Sequence, residues 1–418
     1  MKKFLPARLP HGTAAFIAAV FSVAASAQSL DFETALRLAL DRAPLLQARA
    51  ASAQGAAALQ ISAGQLPDPK LMLGIDSLPV SGPNRGSLTR DDFTQRQIGW
   101  TQDMPNRAKR AARSDAALAR TEREQALLQM ERLTVRREAG LAWLARHAAD
   151  NRLAWFEKLD GHHRLLQETA PAQLAAGKIS PSDLTTIRLE ALVLADRRDE
   201  LQREATQAAV LLRRWTGDDR RTGLSAEAPV FKVDRDHLMA QIERSPEIAA
   251  LTPMRALADA EVREAQAAQT GDWSWSVTYG QRGSGYGNLV SAQLNFELPL
   301  APGQRQQPLI RARLKELERL AGERDELLRR QAQDLQSLLA EQDELVSKLH
   351  RLTQQTVPLT AQRTAFTLAA YESGRDKLAS VLESRKQQAE TGLRALELQG
   401  RLRAVQWRLN TLIPESSP

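Results

Sequence analysis

The sequence predicts a mainly helical protein with a small transmembrane β part, built from duplicated long helical hairpins and four short strands per chain. Three observations carry this. The chain states one plan twice, two segments alternate strictly between apolar and polar residues, and long stretches are almost free of glycine and proline.

Each half reads as a helix of about 35 residues, two short strands around a Gly-rich loop, a very long helix, a Gly turn and a returning helix. Arg42-Ala43-Pro44 is answered by Arg244-Ser245-Pro246 after 202 residues, and Ala176-Gly177-Lys178 by Ser373-Gly374-Arg375 after 197. Two landmarks at nearly one offset argue for duplication. The expected division is a leader at 1–27, a first repeat at 28–217, a linker at 218–233, a second repeat at 234–413 and a tail at 414–418.

In Trp273-Ser274-Trp275-Ser276-Val277-Thr278-Tyr279-Gly280 the odd positions are large and apolar and the even ones small or polar. That is the period of a strand between two different environments. Leu289 to Leu298 repeats it, with Val290, Ala292, Leu294, Phe296 and Leu298 on one face. The first repeat is weaker, with Leu71, Leu73 and Ile75 alternating in one strand and Ile98 and Trp100 in the next. Two ordinary hairpins on a soluble domain would give the same alternation. The surplus of Trp and Tyr on one face favours a lipid boundary, which accommodates amphipathic rings, so Trp273, Trp275, Tyr279 and Phe296 are expected to form a lipid-facing belt. Four strands cannot close on themselves, and open edges in lipid leave backbone groups unpaired, so several chains must combine.

From Asn106 to Ala176 there is no glycine before Gly140 and a single proline, Pro171. Helical throughout, this segment would reach roughly 100 Å. The second copy, Pro308 to Ser373, has Pro358 as its internal break, and its Leu327, Leu328, Leu335, Leu338, Leu339, Leu345, Leu349 and Leu352 form a stripe suited to coiled-coil packing. Asp31 to Gln65 and Asp234 to Gln269 read as the helices that stack end to end on the returning helices, leaving an irregular belt midway along the rod.

Composition sets limits. Of 418 residues none is cysteine, which excludes disulfide frameworks, thiolate metal sites and cysteine nucleophiles. Lys2, Lys3 and Arg8 precede a short apolar core and Ala25-Ser26-Ala27, the form of a cleavable secretory leader with no following cysteine to carry a lipid. Its removal lowers the net charge from +7 to +4. The pI near 9.8 reflects arginines interspersed with acids along helices, without an aromatic stacking platform, so no nucleic-acid partner is expected. The six histidines show no metal-ligand spacing, and His162-His163 reads as a solvated pair. Gly283 to Gly287 joins two strands rather than a strand to a helix, so it lacks the context for cradling phosphate. With no nucleophile-base constellation, the chain is expected to be no enzyme and to carry no cofactor or metal.

These residues together resemble the outer membrane efflux protein family, the TolC-like exit ducts of tripartite pumps. The carrying features are the leader, the duplicated plan, Pro67-Asp68-Pro69 entering the first strand, Leu298-Pro299-Leu300 followed by Pro302-Gly303-Gln304-Arg305, and the Gly-centred turns. The resemblance implies a homotrimer whose strands close a 12-stranded barrel in the bacterial outer membrane, with an α-barrel tunnel in the periplasm. It implies a passive conduit, a periplasmic adaptor and an inner-membrane resistance-nodulation-division transporter. It places adaptor docking at the tip, on Gly177, Lys178, Ile179, Ser180, Gly374, Arg375 and Asp376. It places aperture carboxylates at Asp183 and Glu383, although Ser380 stands where a further acid is expected. The first strand and compact length look more like the heavy-metal cation branch; drug efflux and type I secretion stay open, as do a periplasmic adaptor or coiled-coil scaffold.

Overall fold

The computed structural model describes residues 29–218, 223–225 and 227–413, and their side chains apart from Leu159 and His162. The expected leader, part of the linker and the C-terminal tail lie outside the described residues. The first half contains α1 (Phe32–Arg42), α2 (Pro44–Ala63), β1 (Lys70–Asp76), β2 (Gln95–Met104), α3 (Arg107–Ala175) and α4 (Pro181–Thr216). The second contains α5 (Arg235–Ala240), a 3-10 turn (Ile242–Arg244), α6 (Pro246–Ala249), α7 (Leu251–Ala267), β3 (Trp273–Gln281) and β4 (Leu289–Phe296). It continues through α8 (Gln306–Arg351), a π turn (Leu352–Thr356), α9 (Val357–Glu372) and α10 (Leu378–Asn410). The fold is therefore mainly helical with one four-stranded antiparallel sheet, ordered β1-β2-β3-β4.

α3 is one helix of 69 residues, about 100 Å long at ~1.5 Å per residue. Asn106 starts it by accepting the Lys109 N–H at 2.8 Å, and Pro171 lies inside it without ending it. Along its upper half, nearest the sheet, the helices lie in the order α2-α3-α7-α8, and along its lower half in the order α4-α3-α10-α9. Each level thus has two outer members, as the sheet has two outer strands. The outer helices expose large apolar side chains, among them Leu59 and Ile61 on α2, Leu309 and Leu314 on α8, Leu189 and Leu192 on α4, and Leu359 and Phe366 on α9.

The structure corrects two expectations and bears out a third. The stretches Asp31 to Gln65 and Asp234 to Gln269 are not single helices. Pro44 and Pro246 push the preceding Ala43 and Ser245 to ψ 114° and 141°, because a proline ring disfavours helical backbone in the residue before it. The Arg-x-Pro landmarks of the repeat are therefore its breaks. The second long helix does break near Pro358, as expected, through a widened π turn ending at Thr356, because the proline ring cannot take its place in a regular helix without displacing the Gln354 carbonyl. Finally, His163 is buried rather than solvated, with Nε2 3.4 Å from the Ile187 carbonyl of α4.

At mid-rod the irregular segments meet an aromatic core. The Trp143 indole donates to the Leu30 carbonyl at 2.9 Å, and Leu30 bridges to Leu224 of the linker. Phe32 packs edge-on against Trp143 and Trp407 at 5.4 and 4.9 Å, with Phe231 closing the cluster. A second cluster joins Leu238 of α5 to Leu335, Leu339 and Leu345 of the predicted leucine stripe.

Candidate functional site

Strand register converts four separate alternations into two continuous faces. Trp273 pairs with Phe296 and Met104, Trp275 with Leu294 and Gln102, Val277 with Ala292 and Trp100, and Tyr279 with Val290 and Ile98. Through β2, Trp100 and Ile98 pair with Leu71 and Leu73. Paired residues project to the same side, so these rows form one nearly unbroken apolar face. The reverse carries Ser274, Ser276 and Thr278, Gln95 and Gln97, Ser291, Gln293 and Asn295, together with a Lys70–Asp103 ion pair at 2.7 Å. Met72 and Leu289 are its apolar exceptions.

The four residues expected to form the belt, Trp273, Trp275, Tyr279 and Phe296, all lie on the apolar face, with the Trp273 and Phe296 rings stacked at 6.4 Å. Sequence reading missed how far that face extends onto β2, where Met104 and Arg96 join it. Alternation within a strand does not say which of its faces aligns with the neighbour's; the missing information is register. Among the described residues both outer strands, β1 and β4, leave one backbone edge unpaired.

The sheet is tied to the helices by Asp272. Its carboxylate accepts the Asn106 N–H at 2.9 Å and the Lys109 ammonium at 2.8 Å, while the Asn106 amide donates to the Ala267 and Thr270 carbonyls. Burial pushes this carboxyl up, but the Lys109 contact and the Asn106 N–H outweigh it and hold its pKa below the ordinary value. This collar fixes the start of α3 to the end of α7, and so one half of the chain to the other.

At the far end of the rod, the two helical turns are built alike. Gly177 and Gly374 have φ of 68° and 73°. Each turn closes with a backbone bond across five residues, Lys178 N–H to the Gln173 carbonyl and Arg375 N–H to the Ala370 carbonyl, both at 2.8 Å. This is a Schellman-type ending that needs a left-handed residue, which glycine supplies without a Cβ clash. Of the residues expected at the tip, Gly177, Lys178, Ser180, Gly374 and Arg375 are exposed and Asp376 is half-buried. Ile179 is not at the surface: it packs with Ala170, Ile187, Leu378 and Leu382 in the core that joins the two turns.

The carboxylates divide by role. Asp183 accepts the Ser180 hydroxyl at 2.7 Å and the Ser180 N–H at 2.9 Å, while Ser180 accepts the Asp183 N–H at 3.1 Å. The Ser180 hydroxyl, then its N–H, hold the Asp183 carboxyl below the usual range. In the second turn the arrangement is reversed: Ser380, at the position matching Asp183, donates its hydroxyl to Asp376 at 2.7 Å. That bond, followed by the Lys377 N–H, likewise lowers Asp376. The acid absent at Ser380 has a counterpart four residues earlier, which the sequence offset alone did not suggest. Glu383 is exposed on α10.

Among the described residues no group of three or more potential ligands is placed to hold a metal ion, and no helix is long and apolar enough to cross a membrane. No protein-family model and no curated protein matches the chain. Solved structures do. A membrane protein from Pseudomonas aeruginosa aligns with TM-score 0.79 at 16% identity, over 91% of this chain and 89% of its own. The MtrE outer membrane channel of Neisseria gonorrhoeae, in its open state, aligns with TM-score 0.75 at 14% identity, over 91% and 88%. The outer membrane protein VceC of Vibrio cholerae aligns with TM-score 0.73 at 17% identity, over 91% and 95%. The chain therefore has the fold of TolC-like outer membrane channels over nearly its whole described length.

Proposed function

We propose that this protein is the outer-membrane exit duct of a tripartite efflux system. Three copies close the four-stranded sheets into a 12-stranded barrel and the outer helices into a periplasmic tunnel. One observation carries the reading: a sheet with an apolar and a polar face and two unpaired edges, mounted on helices too long for a globular core. An open sheet in lipid leaves each edge group unsatisfied at several kcal/mol, so closure by further copies is the physical solution. The apolar rows then face lipid and the polar rows line a water-filled lumen. A 12-stranded barrel is wider than the eight-stranded kind whose side chains fill it, which leaves room for passage.

In this reading the chain performs no chemistry and supplies no energy. A periplasmic adaptor docks on the tip, at the exposed Gly177, Lys178, Ser180, Gly374 and Arg375 and the half-buried Asp376, and an inner-membrane resistance-nodulation-division transporter drives export. Ile179 supports the tip from within. Asp183 and Glu383, repeated by symmetry, would ring the aperture with negative charge and favour cations. The cargo class we infer is metal cations, on the sequence resemblance to that branch; heightened sensitivity to metal salts rather than to organic antibiotics in cells lacking the chain tests it.

The channel itself is tested by light scattering of the detergent-purified protein and by conductance across a planar bilayer. Three copies per particle and a stable ion conductance are expected. A monomer that leaves the bilayer silent would remove the proposal.

A further inference from the structure

The apolar face of the sheet has one charged member. In the register of β2, Arg96 stands between Ile75 on β1 and Gln281 on β3, one row beyond Leu73, Ile98 and Tyr279. Arg96 and Gln281 are both exposed, and neither makes an ion pair or side-chain hydrogen bond among the described residues. The other cations of the sheet, Lys70 at its far end and Arg282 just past β3, have partners instead. Lys70, on the polar face, is neutralised by Asp103, and Arg282 donates Nε to the Asp92 carbonyl at 2.9 Å while its guanidinium lies 4.9 Å from the Tyr286 ring centre.

The height of Arg96 on the wall gives its isolation a meaning. Along β2 it is eight residues from Met104, whose row holds Trp273 and whose continuation on β4 is Phe296. At ~3.3 Å per residue and a tilt of about 40°, those rows are separated by about 20 Å across the membrane, close to the ~25 Å height of an apolar barrel band. The aromatic row thus marks one boundary of the band and Arg96 the other, on the side of the strand-connecting loops. An arginine in the middle of the band would be strongly disfavoured, whereas at the boundary its stem covers apolar surface and its head reaches the headgroups. A planar guanidinium matches phosphate oxygens two at a time, and a free glutamine amide beside it supplies another donor.

We propose that Arg96, with Gln281 beside it, binds the phosphate of an anionic lipid headgroup in the leaflet at the loop end of the barrel. The assignment rests on the reading of the sheet as a membrane wall. The lipid's acyl chains would lie along Ile98, Tyr279 and Leu73, so a free phosphate ion, lacking them, is a poor substitute.

The test titrates phosphatidylglycerol into phosphatidylcholine vesicles holding the intact protein, and reads the lipid retained after detergent release by native mass spectrometry. Arg96→Gln is expected to weaken phosphatidylglycerol binding about tenfold or more, the loss typical of one charge-assisted hydrogen bond. Arg329→Gln, an exposed cation on α8 far from the sheet, should leave it unchanged, and inorganic phosphate should not displace the lipid. Equal affinity in Arg96→Gln and the parent overturns the assignment, as does displacement by inorganic phosphate at matched concentration. A parent protein that never enters vesicles overturns the channel reading as well; one that enters them without preferring phosphatidylglycerol overturns this assignment alone.

Discussion

The indole of Trp407 lies directly on the backbone of Gly140, where α10 crosses α3 at mid-rod. A Cβ at Gly140 would sit 2.4 Å from the indole nitrogen. The ring has nowhere to go, since its N–H is bonded to the Arg137 carbonyl at 2.9 Å and Phe32 and Phe231 press on it at 4.9 and 5.3 Å. Alanine is normally worth about 1 kcal/mol over glycine inside a helix, but overpacking a rigid core costs ~1–3 kcal/mol, so the clash should win. Gly140→Ala is expected to lower the thermal unfolding midpoint. Gly161→Ala, in the same helix with open space around it, should raise it slightly.

The tip should loosen in acid. Asp183 has a folded-state pKa below its unfolded value, so the stability it contributes is present above the unfolded value near ~4 and is lost as pH falls through the folded one. Asp376 behaves in the same sense. Both groups are only partly buried, so the effect is local. Protection of the amides near Ser180 and Lys377 against hydrogen exchange, taken relative to the intrinsic rate at each pH, should fall below about pH 4 in the parent. Asp183→Asn should flatten that dependence around Ser180 while leaving the turn at Gly374 unchanged.

Much of this architecture was legible beforehand, and what escaped has physical causes. The strands of the second repeat were plain because each alternates fully. The long helices were plain because Asn106 to Ala176 offers so few breakers. The helix breaks at Pro44 and Pro246 were misread because a helix tolerates proline in its first turn, so an Arg-x-Pro sequence does not itself say whether one helix ends and another begins. The burial of Ile179 and His163 depends on α10 and α4 arriving alongside, which no local pattern encodes. Arg96 became visible only with register, since in sequence it is one charge among many.

Export should depend on the glycine turns without the fold depending on them. Gly177 and Gly374 adopt backbone angles that cost a β-branched residue about 1–3 kcal/mol, yet open space surrounds both, so the strain stays in the turn. Gly177→Val and Gly374→Val are therefore expected to enter the membrane at parental levels and to show reduced export in a whole-cell cargo accumulation assay. Normal export in both variants would remove the turns from the functional surface.

The two faces of the sheet should respond oppositely to charge. Val277 lies mid-belt on the apolar face, in the row of Trp100 and Ala292, while Thr278 follows it on the polar face opposite Gly99 and Ser291. An arginine at the bilayer midplane of a barrel's outer wall costs ~2–4 kcal/mol, whereas the lumen hydrates it. Val277→Arg should therefore reduce the yield of folded protein in vesicles, read as the heat-resistant band on a gel. Thr278→Arg should insert normally but shift the reversal potential in asymmetric salt toward anions, because three copies add positive charge to one ring. Should Thr278→Arg block insertion while Val277→Arg passes unnoticed, the assignment of lipid and lumen sides would be inverted, and Arg96 would face water instead of lipid.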